Sequence, residues 1–392
     1  MVFGLVDKLT NLIDYKKIDL LTLFFFFSLS AIGLISVASA SVAFADSLSG
    51  NPLYLFNKQL VNLFLGLIIL LCVVSIPMLF WEKIDKWLLG LGILSLLLVF
   101  IPGIGYEANG ANRWIRIYGY SLQPSEIMKF IAIIYTSGYC VRSLRDIQSH
   151  WFAFFKPSFL VILVVSLILL QPDLGTSAVI FGTVLGILFV AGVQLRQFLI
   201  VVGVGFIGAL SLIYFVPWRW QRIMSFMNPW DDPYGSGYQL TLSLMSIARG
   251  DWFGVGIGEG ITKMNYLPDA HTDFIFAVIL EEVGLLTGIL ILSLIFGLCF
   301  RSFYLARRAL SRNLYFCFFV GFGVSILIGL HTFINVGVVS GLLPTKGLTL
   351  PFISYGGTHL LVMCALVGLI LRLDYETKLA MPRANITRRV LE

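Results

Sequence analysis

Apolar residues recur along this chain in long unbroken runs, and the polar residues gather in the gaps between them. The runs occupy 20–45, 59–80, 87–102, 124–141, 157–171, 176–193, 197–217, 273–300, 314–338 and 353–372. Each is close to the ~20 residues that a helix needs to cross a bilayer. The pattern predicts an all-α integral membrane protein, a bundle of about ten transmembrane helices. The fourth run is the most polar, with Glu126 and Lys129, and without it the count would be nine. The whole chain reads as a single polytopic membrane domain, with tails at 1–19 and 373–392 and the bundle over 20–372. The widest gap, 218–272, falls between the seventh and eighth helices. Inside it, the spacing of Leu240, Leu244 and Ile247 predicts a helix over Tyr238 to Ala248, lying on the outer leaflet.

Composition supports lipid as the solvent. Hydrophobic residues make up 58% of the chain and charged residues 12%, against about 25% charged in soluble domains. The net charge of +6 does not point to nucleic acid, because the basic residues sit at loop ends and set topology. With the N-terminus in the cytoplasm, 18 of the 27 basic residues fall inside, among them Lys83, Lys86, Arg142, Arg301, Arg307 and Arg308. Both termini are then cytoplasmic, as an even helix count requires. Ala43-Phe44-Ala45 resembles a signal cleavage site, but the run before it is long and its leader carries Asp7, Asp14 and Asp19, so a retained first helix is expected. The five cysteines lie in or near apolar runs without a CxxC pair, and the four histidines are scattered. Neither a disulfide framework nor a zinc site is expected.

This orientation places every chemically rich loop outside: 103–123, 171–175, 218–272 and 339–352. In the first, Arg113 beside Trp114 suits a phosphate and a sugar face, and equally suits an interfacial anchor. Glu126 and Lys129, three apart on a helix, suit an ion pair as well as a substrate contact. Asp173 fits the start of the next helix. Asp269, His271 and Asp273 converge where a polar loop meets an apolar helix. Thr272 or Asp273 fits an N-cap, and Asp273 also fits a general base or a cation ligand. Glu281 and Glu282 lie deeper along the same helix, where acids need a cavity or a partner. His331 and Asn335 share a helix face. Lys346 follows in a Pro- and Gly-flanked loop suited to a phosphate or pyrophosphate.

Five ordered motifs now stand out: Asn109-Gly110-Ala111-Asn112-Arg113-Trp114-Ile115, Gln123-Pro124-Ser125-Glu126, Gln171-Pro172-Asp173-Leu174-Gly175-Thr176, His271-Thr272-Asp273-Phe274-Ile275-Phe276-Ala277 and Pro351-Phe352-Ile353-Ser354-Tyr355-Gly356-Gly357. Together they resemble the SEDS family (shape, elongation, division and sporulation), over nearly the whole chain. Asn228-Pro229-Trp230-Asp231-Asp232-Pro233 and Leu343-Pro344-Thr345-Lys346-Gly347 resemble its division branch. The resemblance implies a ten-helix fold and peptidoglycan glycosyltransferase activity on lipid II, with release of undecaprenyl pyrophosphate. It implies a class B penicillin-binding protein, a transpeptidase, as partner among other divisome membrane proteins, at the septum of the inner membrane. The family's essential aspartate falls on Asp273, its loop tryptophan on Trp114, its paired acid and base on Glu126 and Lys129, and its loop lysine on Lys346. Arg113, His271 and Ser354 join these as expected substrate contacts. A divalent cation (Mg or Mn) at Asp273 is left open. The alternatives are a lipid II flippase and a non-catalytic division scaffold.

Overall fold

The computed structural model describes residues 17–108, 111–117, 120–149 and 151–380. Asn109 and Gly110 of the first motif, and the tail charges Lys8, Lys16, Arg383, Arg388 and Arg389, lie outside the described residues.

The described residues form fourteen helices and one small sheet. In chain order these are α1 (Leu20–Ala40), α2 (Val42–Ser49), α3 (Tyr54–Ser75), α4 (Met78–Leu98), β1 (Gly105–Ala108), β2 (Ala111–Ile117), β3 (Tyr120–Leu122), α5 (Pro124–Arg142), α6 (Leu144–Ser149) and α7 (Trp151–Leu170). There follow α8 (Leu174–Val190), α9 (Leu195–Tyr214), α10 (Pro217–Met227), α11 (Tyr238–Gly250), α12 (Ile275–Leu310), α13 (Tyr315–Val339) and α14 (Gly357–Leu379). Every apolar run has become a helix, because a backbone in lipid must satisfy its own hydrogen bonds. Five of them, α1, α3, α12, α13 and α14, are long and apolar enough to cross a membrane by length and composition alone.

Two features differ from the expectation. The run over 20–45 divides at Ser41 into α1 and α2. The loop 103–123 carries an antiparallel sheet of order β1-β2-β3, whose registers pair Tyr106 with Trp114 and Arg116 with Ser121. The helix expected over Tyr238 to Ala248 forms as α11, and one of its faces packs on the bundle. Leu240, Thr241, Ser243 and Ser246 are buried against the bundle, and Ser243 Oγ donates to the carbonyl of Val339 at 2.8 Å.

The 36 residues of α12 would span about 54 Å as one helix, far more than a ~30 Å hydrocarbon core. The helix breaks at Gly284, whose φ of 82° and ψ of 174° suit glycine. The outer loop fills the break. Val255 and Gly256 donate to the carbonyls of Glu281 and Glu282 at 3.0 and 2.9 Å, and Leu285 donates to Asp251 at 2.9 Å. Glu281 pairs with Arg249 at 3.2 Å and accepts from the backbone of Ile261 and the hydroxyl of Thr262. Glu282 pairs with Lys263 and accepts from Ser39 of α1. The two acids are therefore bonding partners of the loop.

α14, buried along most of its length, forms the centre of the bundle. Gly368 lets it approach α3, since a Cβ there would sit 2.9 Å from Val73. At one end of the bundle, ion pairs join Asp85 to Arg142 and Asp19 to Arg301. At the other end the loops carrying Arg113, Asp173, Asp273 and Lys346 converge. Single cysteines in 103–123, 218–270 and 339–352 should therefore all label with an impermeant thiol reagent from one side of a sealed vesicle. Cysteines at 142–156 and 301–312 should label only from the other. Labelling of both sets from one side would contradict the helix map.

Candidate active site

Five segments build the convergent end. The turn between α7 and α8 is clamped by Arg113 of β2, whose Nε and Nη2 each donate at 2.8 Å, to the carbonyls of Gln171 and Pro172. Two of its five N–H donors are used this way, and the others remain for a ligand. Asp173 caps α8, accepting from the Thr176 amide at 3.0 Å, while its other oxygen accepts from Gln123 at 3.3 Å. α10 starts with Pro217 in its first turn, where proline is pre-organised for a helix. It brings Arg219 and Arg222, three apart on one face, beside the loop 340–356, where Arg222 donates to the Thr345 carbonyl at 3.5 Å.

Asp273 lies immediately before α12. The Asn335 amide of α13 donates to its backbone carbonyl at 2.8 Å and also to the Leu348 carbonyl. The loop is thereby drawn against Asp273. A Cβ on Gly347 would sit 2.8 Å from the Asp273 Oδ2, so only glycine leaves the carboxylate room. Among the described residues, no hydrogen-bond partner or ion pair is formed by the Asp273 carboxylate or the Lys346 ammonium.

The electrostatics follow from this crowding. Burial, then repulsion from Asp269 and Asp173, pushes the Asp273 carboxyl up to about 8, against a smaller pull downward from Arg113. Burial, then Arg222 and Arg219, presses Lys346 down to about 8, against the pull of Asp173. Burial also raises the Asp269 carboxyl. A partly protonated carboxyl thus lies beside Arg113, at the end of the bundle where Arg219, Arg222 and Lys346 also gather. Such a site can accept a proton near neutral pH and hold a doubly charged anion.

The structure thus brings together Asp273, Arg113 and Lys346 from the expected set. Trp114 is adjacent, but successive strand residues point to opposite faces. It therefore does not share a grip with Arg113. Glu126 and Lys129 form the expected ion pair at 2.6 Å, yet they are sealed beneath the site, Lys129 being fully buried, and neither is open to a substrate. His271 is stacked on Phe44 with ring centroids 4.7 Å apart, and burial lowers its pKa to about 4, so it is a neutral packing group. Ser354 is a staple: its hydroxyl donates to the Thr272 carbonyl at 2.6 Å and accepts from the Leu350 amide at 2.7 Å. Of the expected substrate contacts, Glu126, Lys129 and Ser354 thus have polar atoms bonded to protein groups, and the His271 ring packs on Phe44 and Tyr355. Arg219 and Arg222 escaped sequence reasoning. Their signal was Pro217-Trp218-Arg219-Trp220-Gln221-Arg222, a proline-started helix with basic residues at i and i+3.

A family model for cell cycle proteins of the FtsW, RodA and SpoVE group matches residues 19–379. A Coxiella burnetii protein named probable peptidoglycan glycosyltransferase FtsW is 44% identical over 352 residues, covering 90% of this chain and 94% of that protein. One of the same name from Halorhodospira halophila is 41% identical over 384 residues, covering 97% and 96%. Among solved structures, Thermus thermophilus rod shape determining protein RodA superposes with a TM-score of 0.67 at 26% identity, covering 91% of this chain and 96% of that one. A chain from work on structural coordination of polymerization and crosslinking by a peptidoglycan synthase complex gives a TM-score of 0.75 at 28% identity, covering 92% and 98%.

The titration of Asp273 is directly observable. Infrared spectra of the full chain should show a protonated-carboxyl band at about pH 6 that disappears with a midpoint near 8 and is missing from Asp273→Asn. A midpoint near 4, the ordinary value for an exposed aspartate, would contradict the burial described above.

Proposed function

This chain belongs to the FtsW, RodA and SpoVE family of cell cycle proteins, as a multi-pass membrane peptidoglycan glycosyltransferase, and from that premise we propose that it polymerises lipid II at the outer leaflet for septal wall synthesis. The observation that carries this reading is the Asp273 carboxylate, without a hydrogen-bond partner among the described residues, beside Arg113 at the end of the bundle where Arg219, Arg222 and Lys346 gather.

The reaction is an inverting glycosyl transfer. The 4-hydroxyl of an acceptor lipid II attacks the anomeric carbon of the growing lipid-linked chain. A new C–O bond forms on one face as the bond to the pyrophosphate oxygen breaks on the other. The bonding electrons leave with undecaprenyl pyrophosphate, and the hydroxyl proton passes to Asp273. A base poised near 8 is well matched to that task. Lys346 and the arginines offset charge as it develops on the leaving group. A pyrophosphate needs no protonation to leave, so one carboxylate suffices where a glycosidase uses two. Asp273 would also be the ligand for a Mg²⁺ or Mn²⁺ ion, which would supply further neutralisation of the pyrophosphate.

The bundle is oriented with both termini in the cytoplasm, and a class B penicillin-binding protein completes the outer face. Trp230, Tyr234, Trp252 and Phe253 stand exposed on the large loop, with Tyr234 91% and Phe253 81% exposed, and suit such a contact. A flippase would need polar groups free to line a path. Glu281, Glu282 and the Asn335 amide nitrogen are instead bonded to protein groups.

Asp273→Asn keeps shape and capping ability but removes the base. In the purified chain with its transpeptidase partner and labelled lipid II, it should make no glycan polymer, a loss of about 10²–10⁴-fold or more. It should also melt higher than the wild type. An unfolded aspartate ionises near 4 whereas this one resists ionisation up to about 8, so the charge disfavours the folded state between those values and Asn lifts that penalty. Near wild-type polymerisation by Asp273→Asn would overturn the assignment.

A further inference from the structure

Beneath the site, α5, α13 and α14 bring together Glu126, Lys129, His331 and His359, all buried. The Lys129 ammonium lies 2.6 Å from Glu126 Oε1 and 2.7 Å from His331 Nε2, and Glu126 Oε2 lies 2.8 Å from His359 Nδ1. His331 Nδ1 is 3.2 Å from the Thr349 carbonyl. The proton positions follow from donor inventory. An ammonium has donors only, so His331 Nε2 must accept from it, and the ring proton is on Nδ1, donating to Thr349. A carboxylate has acceptors only, so His359 donates through Nδ1. Ligating atoms of Glu126, His331 and His359 come within 4.8 Å of one another, as in a metal site. However, the Lys129 ammonium already bonds Glu126 and His331 and serves as the internal cation.

Thr349 is part of the segment 345–350 that leads from α13 to α14. That segment carries Lys346 and holds Gly347 against the Asp273 carboxylate. Two residues of α13, one turn apart, tether it: Asn335 through Leu348 and His331 through Thr349. We propose that His331 is a positioning residue, fixed in its Nδ1–H tautomer by Lys129, which anchors this segment through Thr349 and so holds Gly347 and Lys346 in place at the Asp273 end of the bundle. The proposal rests on the reading of Asp273 given above.

The test compares wild type, His331→Gln, His331→Leu and Asp273→Asn as full-length chains with their transpeptidase partner, measuring polymerisation of labelled lipid II. A glutamine can accept from Lys129 through Oε1 and donate to Thr349 through Nε2, so His331→Gln should stay within an order of magnitude of wild type. His331→Leu removes both bonds and should lose about 100-fold, the scale expected for a displacement near 1 Å. Its residual rate should hold to higher pH than the wild-type rate, because Lys346 would leave its desolvated place beside Arg219, Arg222 and Asp173. Full activity in His331→Leu, or equal loss in His331→Gln and His331→Leu, would overturn the proposal. An active Asp273→Asn would instead overturn the catalytic reading, so the two failures are separable. Selective ¹⁵N-histidine NMR of the wild type needs no variant to remain active. With four histidines in the chain, the resonance absent from His331→Gln identifies His331. It should report a neutral ring protonated on Nδ1, and the Nε2–H tautomer or a cationic ring would refute the anchor.

Discussion

A charge inside a lipid-embedded bundle must find its partner within the protein, because hydrocarbon offers neither water nor counterions. The structure obeys that constraint at depth. Asp19 meets Arg301, Asp85 meets Arg142, Glu281 meets Arg249 and Glu282 meets Lys263. Lys129 is shared by Glu126 and His331. Breaking the pair of Lys263 with Glu282 or of Lys129 with Glu126, each buried on both sides, leaves an uncompensated charge and costs about 3–5 kcal/mol. Asp273 stands outside this pattern. Its carboxylate is partly buried, crowded by two other acids and left without a hydrogen-bond partner among the described residues.

The rest of the outer end can be understood as scaffolding for this one group. The large loop is not a free excursion. It threads the break at Gly284, ties itself to Glu281 and Glu282, and returns to α12 at Asp273. Asn335 and Gly347 bring the Lys346 segment to the carboxylate, and Arg113 fixes the turn that presents Asp173. Cations and acids that repel their own kind are thus held close by backbone hydrogen bonds.

Much of this was legible in the sequence because lipid simplifies the pattern: each apolar run became helical, and five of the helices are long and apolar enough to cross a membrane. Asp273, Arg113 and Lys346 were legible as polar residues at the mouths of those runs. Other features were hidden for identifiable reasons. The sheet over β1 to β3 was obscured by turn-rich flanks, although Trp114, Ile115 and Ile117 are aromatic and β-branched residues of the kind that favour strands. The break in α12 turns on a single glycine within an otherwise continuous helix. Glu281 and Glu282 looked available because their partners, Arg249 and Lys263, are dispersed through the outer loop. The contact of His359 with Glu126 joins positions 233 residues apart, with no local trace. Ser354 and His271 sit within motifs, but their atoms serve the backbone and the aromatic packing.

The most direct measurement is a structure of the Asp273→Asn chain with lipid II bound and unreacted. The account predicts the acceptor sugar 4-hydroxyl within hydrogen-bond reach of the carboxamide at 273, about 2.6–3.2 Å. It also predicts the donor pyrophosphate between Arg222 and Lys346. An acceptor hydroxyl too far from residue 273 to be bridged by one water, or a pyrophosphate seated away from those cations, would contradict it.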